Sequence, residues 1–120
     1  MLLTENEINA AIETVKAAFP NLSNWQYQNT VSSECPGFSL WGQFVLKPDG
    51  PWTKDFFITF YIYQVQWRGS LTVGQHAYFW SSTEEGDSYL LNTELCDSLE
   101  TAIAALKAEI SRLFAAFLAL

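Results

Sequence analysis

The chain has 120 residues, 49% of them hydrophobic, and its 13 acidic and 6 basic residues give a formal net charge of −7. This length predicts one domain, 1–120, that folds around its own core without needing a metal or a disulfide. The six basic residues form no run, so they offer phosphate groups no continuous positive surface. We therefore expect no nucleic-acid partner and no binding to an anionic membrane.

The cellular location is also constrained by the sequence. No apolar stretch is long enough to cross a bilayer, and the first residues lack the pattern of a secretory signal. We therefore expect a cytoplasmic protein without membrane partners. In that compartment Cys35 and Cys96 are expected to be reduced.

The first predicted element is a helix that begins after Thr4 and ends before Pro20. Thr4 and Glu7 have the spacing of a capping box, in which each side chain accepts a hydrogen bond from the other residue's backbone N–H. One apolar stripe follows at helical spacing, formed by Ile8, Ile12, Val15 and Phe19.

Alternating apolar and polar residues then predict four or five antiparallel strands, at 25–33, 38–47, 55–67, 70–81 and 89–92. Turns are predicted at 34–37 and 48–51, where Pro and Gly are adjacent. Arg68 and Gly69 are predicted to form a two-residue hairpin turn between the third and fourth strands. An acidic loop follows at 83–87.

The last predicted element is a long helix capped by Asp97 and Glu100. Its main apolar stripe consists of Leu99, Ile103, Leu106, Ile110, Leu113 and Phe117. Towards its end the helix is apolar almost all round, which is unusual for a helix in water. The order of elements predicts an α+β fold: an N-terminal helix, an antiparallel four- to five-stranded meander sheet, and a long C-terminal helix packed on the sheet.

The strands from Phe38 to Ser81 have two different apolar faces. One face carries Phe, Ile, Leu and Val and is predicted to be the core. The other, which we call the aromatic face, carries Trp41, Tyr61, Tyr63, His76, Tyr78 and Trp80. Large rings with hydrogen-bonding tips are typical of binding surfaces, so these six residues are the predicted partner- or ligand-binding site.

A hairpin at Arg68–Gly69 would fix the register of this face. It would pair Tyr61 with His76 and Thr59 with Tyr78, and the simplest register of the preceding strand would then pair Trp41 with Tyr61. The predicted result is a cross-strand row of Trp41, Tyr61 and His76. Two other arrangements stay open: one helix could cover the aromatic face, or a second copy could pack on it in a homodimer.

Residues for known chemistry are few. With one histidine and two distant cysteines the chain lacks the ligands of a zinc site, and it has no phosphate-binding glycine loop, so we expect no metal and no cofactor. His76 could act as a general base only beside an orienting acid, and the predicted register gives it none. Cys96 precedes a helix and could be activated there, although packing is the more common role.

The leading functional hypothesis is a non-catalytic protein-interaction or assembly module that binds an unidentified partner, or itself, through the aromatic face. The alternative is a small-ligand-binding domain in which the same residues line a pocket. A small enzyme that uses His76 is third, and we expect no catalytic residues. The sequence does not identify the partner.

Overall fold

The computed structural model describes residues 2–31, 36–46, 54–74 and 89–120. Its elements, in chain order, are α1 (Glu5–Ala18), β1 (Ser23–Val31), β2 (Pro36–Leu46), β3 (Lys54–Tyr63), β4 (Gln66–Val73), β5 (Tyr89–Asn92) and α2 (Leu99–Leu118). The five strands form one antiparallel sheet in the order β1-β2-β3-β4-β5. The predicted α+β fold, with a meander sheet and a long C-terminal helix on the sheet, is confirmed.

The predicted capping box begins α1. Glu7 donates its backbone N–H to Thr4 Oγ1 at 3.2 Å, and Thr4 donates its own to Glu7 Oε1 at 2.9 Å. The side chain of Asn29 on β1 then bonds both backbone groups of Leu3, at 3.0 Å and 2.8 Å. These bonds fix the start of α1 to the first strand of the sheet.

Both helices pack on the same face of the sheet. The core between them includes Val15 of α1, Phe38 and Leu40 of β2, Phe60 of β3, and Leu106 of α2, all at most 1% exposed. This is the face that the alternation predicted to be the core. Within the part of the chain that the structure describes, neither helix is long and apolar enough to cross a membrane.

The hairpin between β3 and β4 turns at Gln64 and Val65, so the prediction of a turn at Arg68–Gly69 is wrong. Tyr63 pairs with Gln66, and the two residues between them have positive φ angles of 50° and 62°, as a type I′ turn requires. Neither residue is the glycine, asparagine or aspartate that favours this turn. Arg68 lies within β4, which begins at Gln66 rather than at Ser70.

Gly69 serves close packing rather than a turn. It pairs with Phe60, and a Cβ atom added at Gly69 would lie 2.7 Å from Phe60 Cε1 and 3.3 Å from Leu106 Cδ2. The missing side chain therefore lets α2 approach the sheet directly over β3 and β4.

Two smaller predictions are also corrected. Pro36 and Gly37 begin β2 instead of forming a turn, while 34–35, 48–51 and the acidic loop at 83–87 lie outside the described residues. The N-cap of α2 is Ser98, whose hydroxyl accepts the N–H of Thr101 at 3.1 Å, and not Asp97. Asp97 accepts a hydrogen bond from Gln66 Nε2 at 3.0 Å and so joins α2 to the hairpin.

The turn at Val65 leads to a stability prediction. A β-branched residue at positive φ is strained by about 1–3 kcal/mol, and glycine removes that strain at some entropic cost. We expect Val65→Gly to raise the free energy of unfolding by about 1 kcal/mol in urea denaturation. Val65→Thr keeps the β-branch and should give no gain. A loss of stability in Val65→Gly would show that the isopropyl group contributes more than the strain costs.

Candidate functional site

The register of the aromatic face differs from the predicted one. Trp41 pairs with Thr59, which pairs with Ser70, and Tyr61 lies in the adjacent row between Ser39 and Arg68. The predicted pairs of Trp41 with Tyr61, of Tyr61 with His76 and of Thr59 with Tyr78 are therefore wrong. Both register errors are shifts by an even number of residues, so Trp41 and Tyr61 still share the predicted face.

The six predicted site residues are in different surroundings. Trp41 and Tyr61 are buried, at 6% and 5% exposure, although both helices pack on the opposite face. Neither side chain therefore has the exposure that we expected of a surface anchor. Tyr63 is 40% exposed, at the end of β3. His76, Tyr78 and Trp80 lie outside the described residues, so their place on the aromatic face stays a prediction.

A buried group of polar and charged side chains surrounds Tyr61. Burial raises the pKa of Tyr61, against hydrogen bonds from Arg68 and Ser70 and the positive charge of Arg68. Burial, and secondarily the charge of Tyr61, raise the pKa of Tyr89 to about 12, with Arg68 opposing the rise. Both phenols are thus held neutral at neutral pH, where they can donate hydrogen bonds but cannot act as bases.

The raised tyrosine pKa values predict a loss of stability in alkali. Because the folded-state pKa of Tyr89 lies near 12 and its ordinary value is 10.0, the unfolded chain releases the proton first. Below pH 10 the tyrosine ionisation should not change the free energy of unfolding. As the pH rises from 10 towards 12, that free energy should fall.

Urea unfolding at a series of pH values measures this effect. Above pH 10 the free energy of unfolding should fall less with pH in Tyr89→Phe than in the wild type. Near pH 8 its change with pH should be the same in both proteins. Equal slopes above pH 10 in both proteins would contradict a raised pKa at Tyr89.

Three buried polar atoms lie in one cross-strand row on the aromatic face. They are Gln28 Oε1, Ser39 Oγ and Arg68 Nε, and none has a hydrogen-bond partner within the described part of the chain. Gln28 pairs with Ser39, Ser39 with Tyr61, and Tyr61 with Arg68, so four strands contribute one residue each. A buried polar atom without a partner costs about 1–3 kcal/mol, so this row is a local source of instability.

Two serines on this face form a matched pair for a test. Ser39 Oγ is unpaired, whereas Ser70 Oγ donates to Asn92 Oδ1 at 2.5 Å, and both residues are buried. We expect Ser39→Ala to leave the free energy of unfolding unchanged or raise it by up to about 1 kcal/mol. Ser70→Ala should lower it by about 1–2 kcal/mol, because Asn92 loses its partner. Equal losses in both variants, measured by urea denaturation, would show that Ser39 Oγ is satisfied in the protein.

Little other chemistry is gathered in the described residues. No three histidine, cysteine or acidic residues among them are grouped to hold a metal ion. Cys96 is half-buried against the core, and its backbone pairs with that of Trp67 at 2.7 Å in both directions. This position fits the packing role that we weighed for Cys96 at the sequence level. Cys35 lies outside the described residues.

Among the residues that the structure describes, the most exposed apolar side chains are at the end of α2. We call residues 113–120 the α2 tip; their sequence is Leu-Phe-Ala-Ala-Phe-Leu-Ala-Leu, without a polar side chain. Exposure is 58% at Phe114, 60% at Phe117, 88% at Leu118 and 98% at Leu120. The predicted site did not include these residues, although the all-round apolar end of this helix was a signal in the sequence.

A concave surface lies between the two helices. A cleft of about 310 Å³ is open to solvent and is lined by α1, the β3–β4 hairpin and the first turn of α2. Its walls are mostly apolar, including Leu3, Trp67 and Leu99, with the carboxylates of Glu7 and Glu100 beside them. Glu7 already serves the capping box, and its hydrogen bonds with Thr4 lower its pKa. The cleft therefore offers shape but few polar groups that could orient a ligand.

No protein-family model, curated protein or solved structure matches this chain. The choice between the α2 tip, the aromatic face and the cleft therefore depends on their geometry and chemistry.

Proposed function

We propose that this chain is a non-catalytic protein-interaction or assembly module. The observation that carries the proposal is the exposure of the α2 tip. Phe114, Phe117 and Leu118 are exposed at helical i, i+3, i+4 spacing, so they form one contiguous apolar surface at the end of α2, and Leu120 follows just after the helix. Contiguous apolar surfaces of this kind on folded domains usually bind another macromolecule.

The physical argument concerns the stability of the helix end itself. Two helical turns gain little stability from backbone hydrogen bonds alone, and most of the stability of a protein helix comes from packing one face. From Phe114 onwards every residue of α2 is exposed. A partner that covers the α2 tip would supply the packing that the domain does not supply.

The aromatic face supports this proposal less directly. Trp41 and Tyr61 are buried, so a partner could reach them only after a rearrangement of that face. Tyr63 is exposed and could contribute to an interface at the hairpin end. The proposal therefore moves the main contact from the aromatic face to the α2 tip.

A pull-down from native lysate tests the proposed function. The bait would be the wild-type chain, compared with a Phe114→Ser/Phe117→Ser variant whose melting temperature matches the wild type. We expect the wild type to retain a protein, either another chain or untagged copies of itself, and the variant to lose it. Tyr27→Ser, which changes an apolar residue that is 50% exposed on β1, is the control and should retain the same protein. If the wild-type bait retains no protein, the proposed interaction function is contradicted.

Small-ligand binding is the second candidate, and one observation favours it. The cross-strand row contains two unpartnered oxygens, Gln28 Oε1 and Ser39 Oγ, and the unpartnered Nε of the Arg68 guanidinium group. A small carboxylate or phosphate could satisfy the Arg68 and Ser39 donors if the face opened to admit it. A thermal-shift screen of such anions tests the idea: stabilisation that disappears in Ser39→Ala supports it, and no stabilisation by any anion counts against it.

A further inference from the structure

The buried stripe of α2 continues without interruption into the α2 tip. Its apolar residues are separated alternately by four and three positions: Leu99, Ile103, Leu106, Ile110, Leu113, Phe117 and Leu120. The first three are buried against the sheet, and Ile110 is half-buried at the same core. This alternation is the spacing by which helices pack along one another in coiled coils. The α2 tip therefore carries a helix-packing seam beyond the last core contact of its own domain.

We infer that a second copy of this chain covers the seam, with the two α2 tips packed antiparallel about a two-fold axis. This inference rests on the proposed function, because it names the occupant of the same surface. An axis between Leu113 and Phe117, both within α2, places each of these residues against the other in the second copy. A two-fold interface of this kind is self-complementary and closed, so assembly stops at the dimer.

The exposed area is sufficient for a weak dimer. A fully exposed phenylalanine offers roughly 200 Å², so Phe114, Phe117, Leu118 and Leu120 leave about 500 Å² of apolar surface uncovered on each copy. Complete cover of both tips would bury at most about 1,000 Å², which is the lower limit for a specific interface. Interfaces near this limit are weak, so we expect a dissociation constant in about the micromolar range.

The distribution of charge favours a second copy at this position. Two chains of net charge −7 repel one another over most of their surfaces, but residues 113–120 are uncharged. The nearest acidic residue in the helix, Glu109, is already paired with Arg112. Antiparallel packing also puts the two acidic domains at opposite ends of the helix pair, where screening by salt weakens their repulsion.

The same charges argue against a membrane as the occupant. A helix that lies on a bilayer surface generally has several lysine or arginine residues on its polar side. Along the whole of α2 only Lys107 and Arg112 are basic, and Arg112 is paired with Glu109.

Sedimentation velocity of the purified chain tests the inference. The wild type should shift from monomer to twice that mass as its concentration rises through the micromolar range. Phe117→Asp would place a charge in the centre of the seam and should weaken association by about 100-fold, giving a monomer throughout. The control is Val65→Asp, which adds the same charge at a residue that is 68% exposed at the other end of the domain, and it should dimerise as the wild type does.

A second measurement separates this inference from the proposed function. One sample carries a photoreactive benzoylphenylalanine at position 114 and is cross-linked in native lysate. In a separate sample the wild-type chain is mixed with phosphatidylcholine vesicles.

Cross-linking of the chain to itself, together with a dimer that Phe117→Asp abolishes, supports the inference. If the chain is a monomer that cross-links to a different protein, the inferred homodimer is wrong, but the proposed protein-interaction function is supported. Binding to vesicles without self-association, or no cross-link and no dimer, overturns both. If Phe117→Asp leaves a dimer intact, the interface lies elsewhere and the inferred antiparallel packing of the two α2 tips is wrong.

Discussion

The close contact of α2 with the sheet at Gly69 determines much of this structure. Without a side chain at this position, Leu106 of α2 and the ring of Phe60 both lie close to the Gly69 backbone, and α2 packs closely on β4. Because Gly69 must lie opposite Phe60 for this contact, it also fixes the register between β3 and β4. The hairpin turn then has to occur at Gln64 and Val65, even though neither residue favours it. Packing of the helix has therefore overridden the local preference of the turn.

This contact explains which parts of the fold the sequence predicts. Helix signals depend on nearby residues, so the Thr4–Glu7 box and the apolar stripes were predicted correctly. Face assignment depends only on alternation, so the shared face of Trp41 and Tyr61 was predicted correctly despite register errors of an even number of residues. The turn at Arg68–Gly69 was predicted wrongly because glycine is common both in turns and at sites of close packing. Only the position of Leu106 above the strand distinguishes the two roles, and no local pattern gives that position.

Exposure was the other property that alternation could not give. A strand pattern shows that Trp41 and Tyr61 share a face, but it does not show whether that face meets water. Their burial leaves a polar row, from Gln28 to Arg68, inside the protein with incomplete hydrogen bonding. The amphipathic composition that made these residues attractive as surface anchors also lets them pack in a partly polar interior. Residue type alone therefore predicted the chemistry of the face better than its accessibility.

The α2 tip differs from the aromatic face because its exposure follows from length. A helix of 20 residues is about 30 Å long, and its last core contact is made near Ile110. The apolar stripe that packs α2 on the sheet thus continues for about two further turns beyond the last core contact. The same spacing of leucine, isoleucine and phenylalanine serves both halves of the helix, first against the sheet and then against the molecule that covers the tip. A charge of −7 on the rest of the chain opposes indiscriminate association, so this uncharged seam is where close approach of a second copy is least opposed.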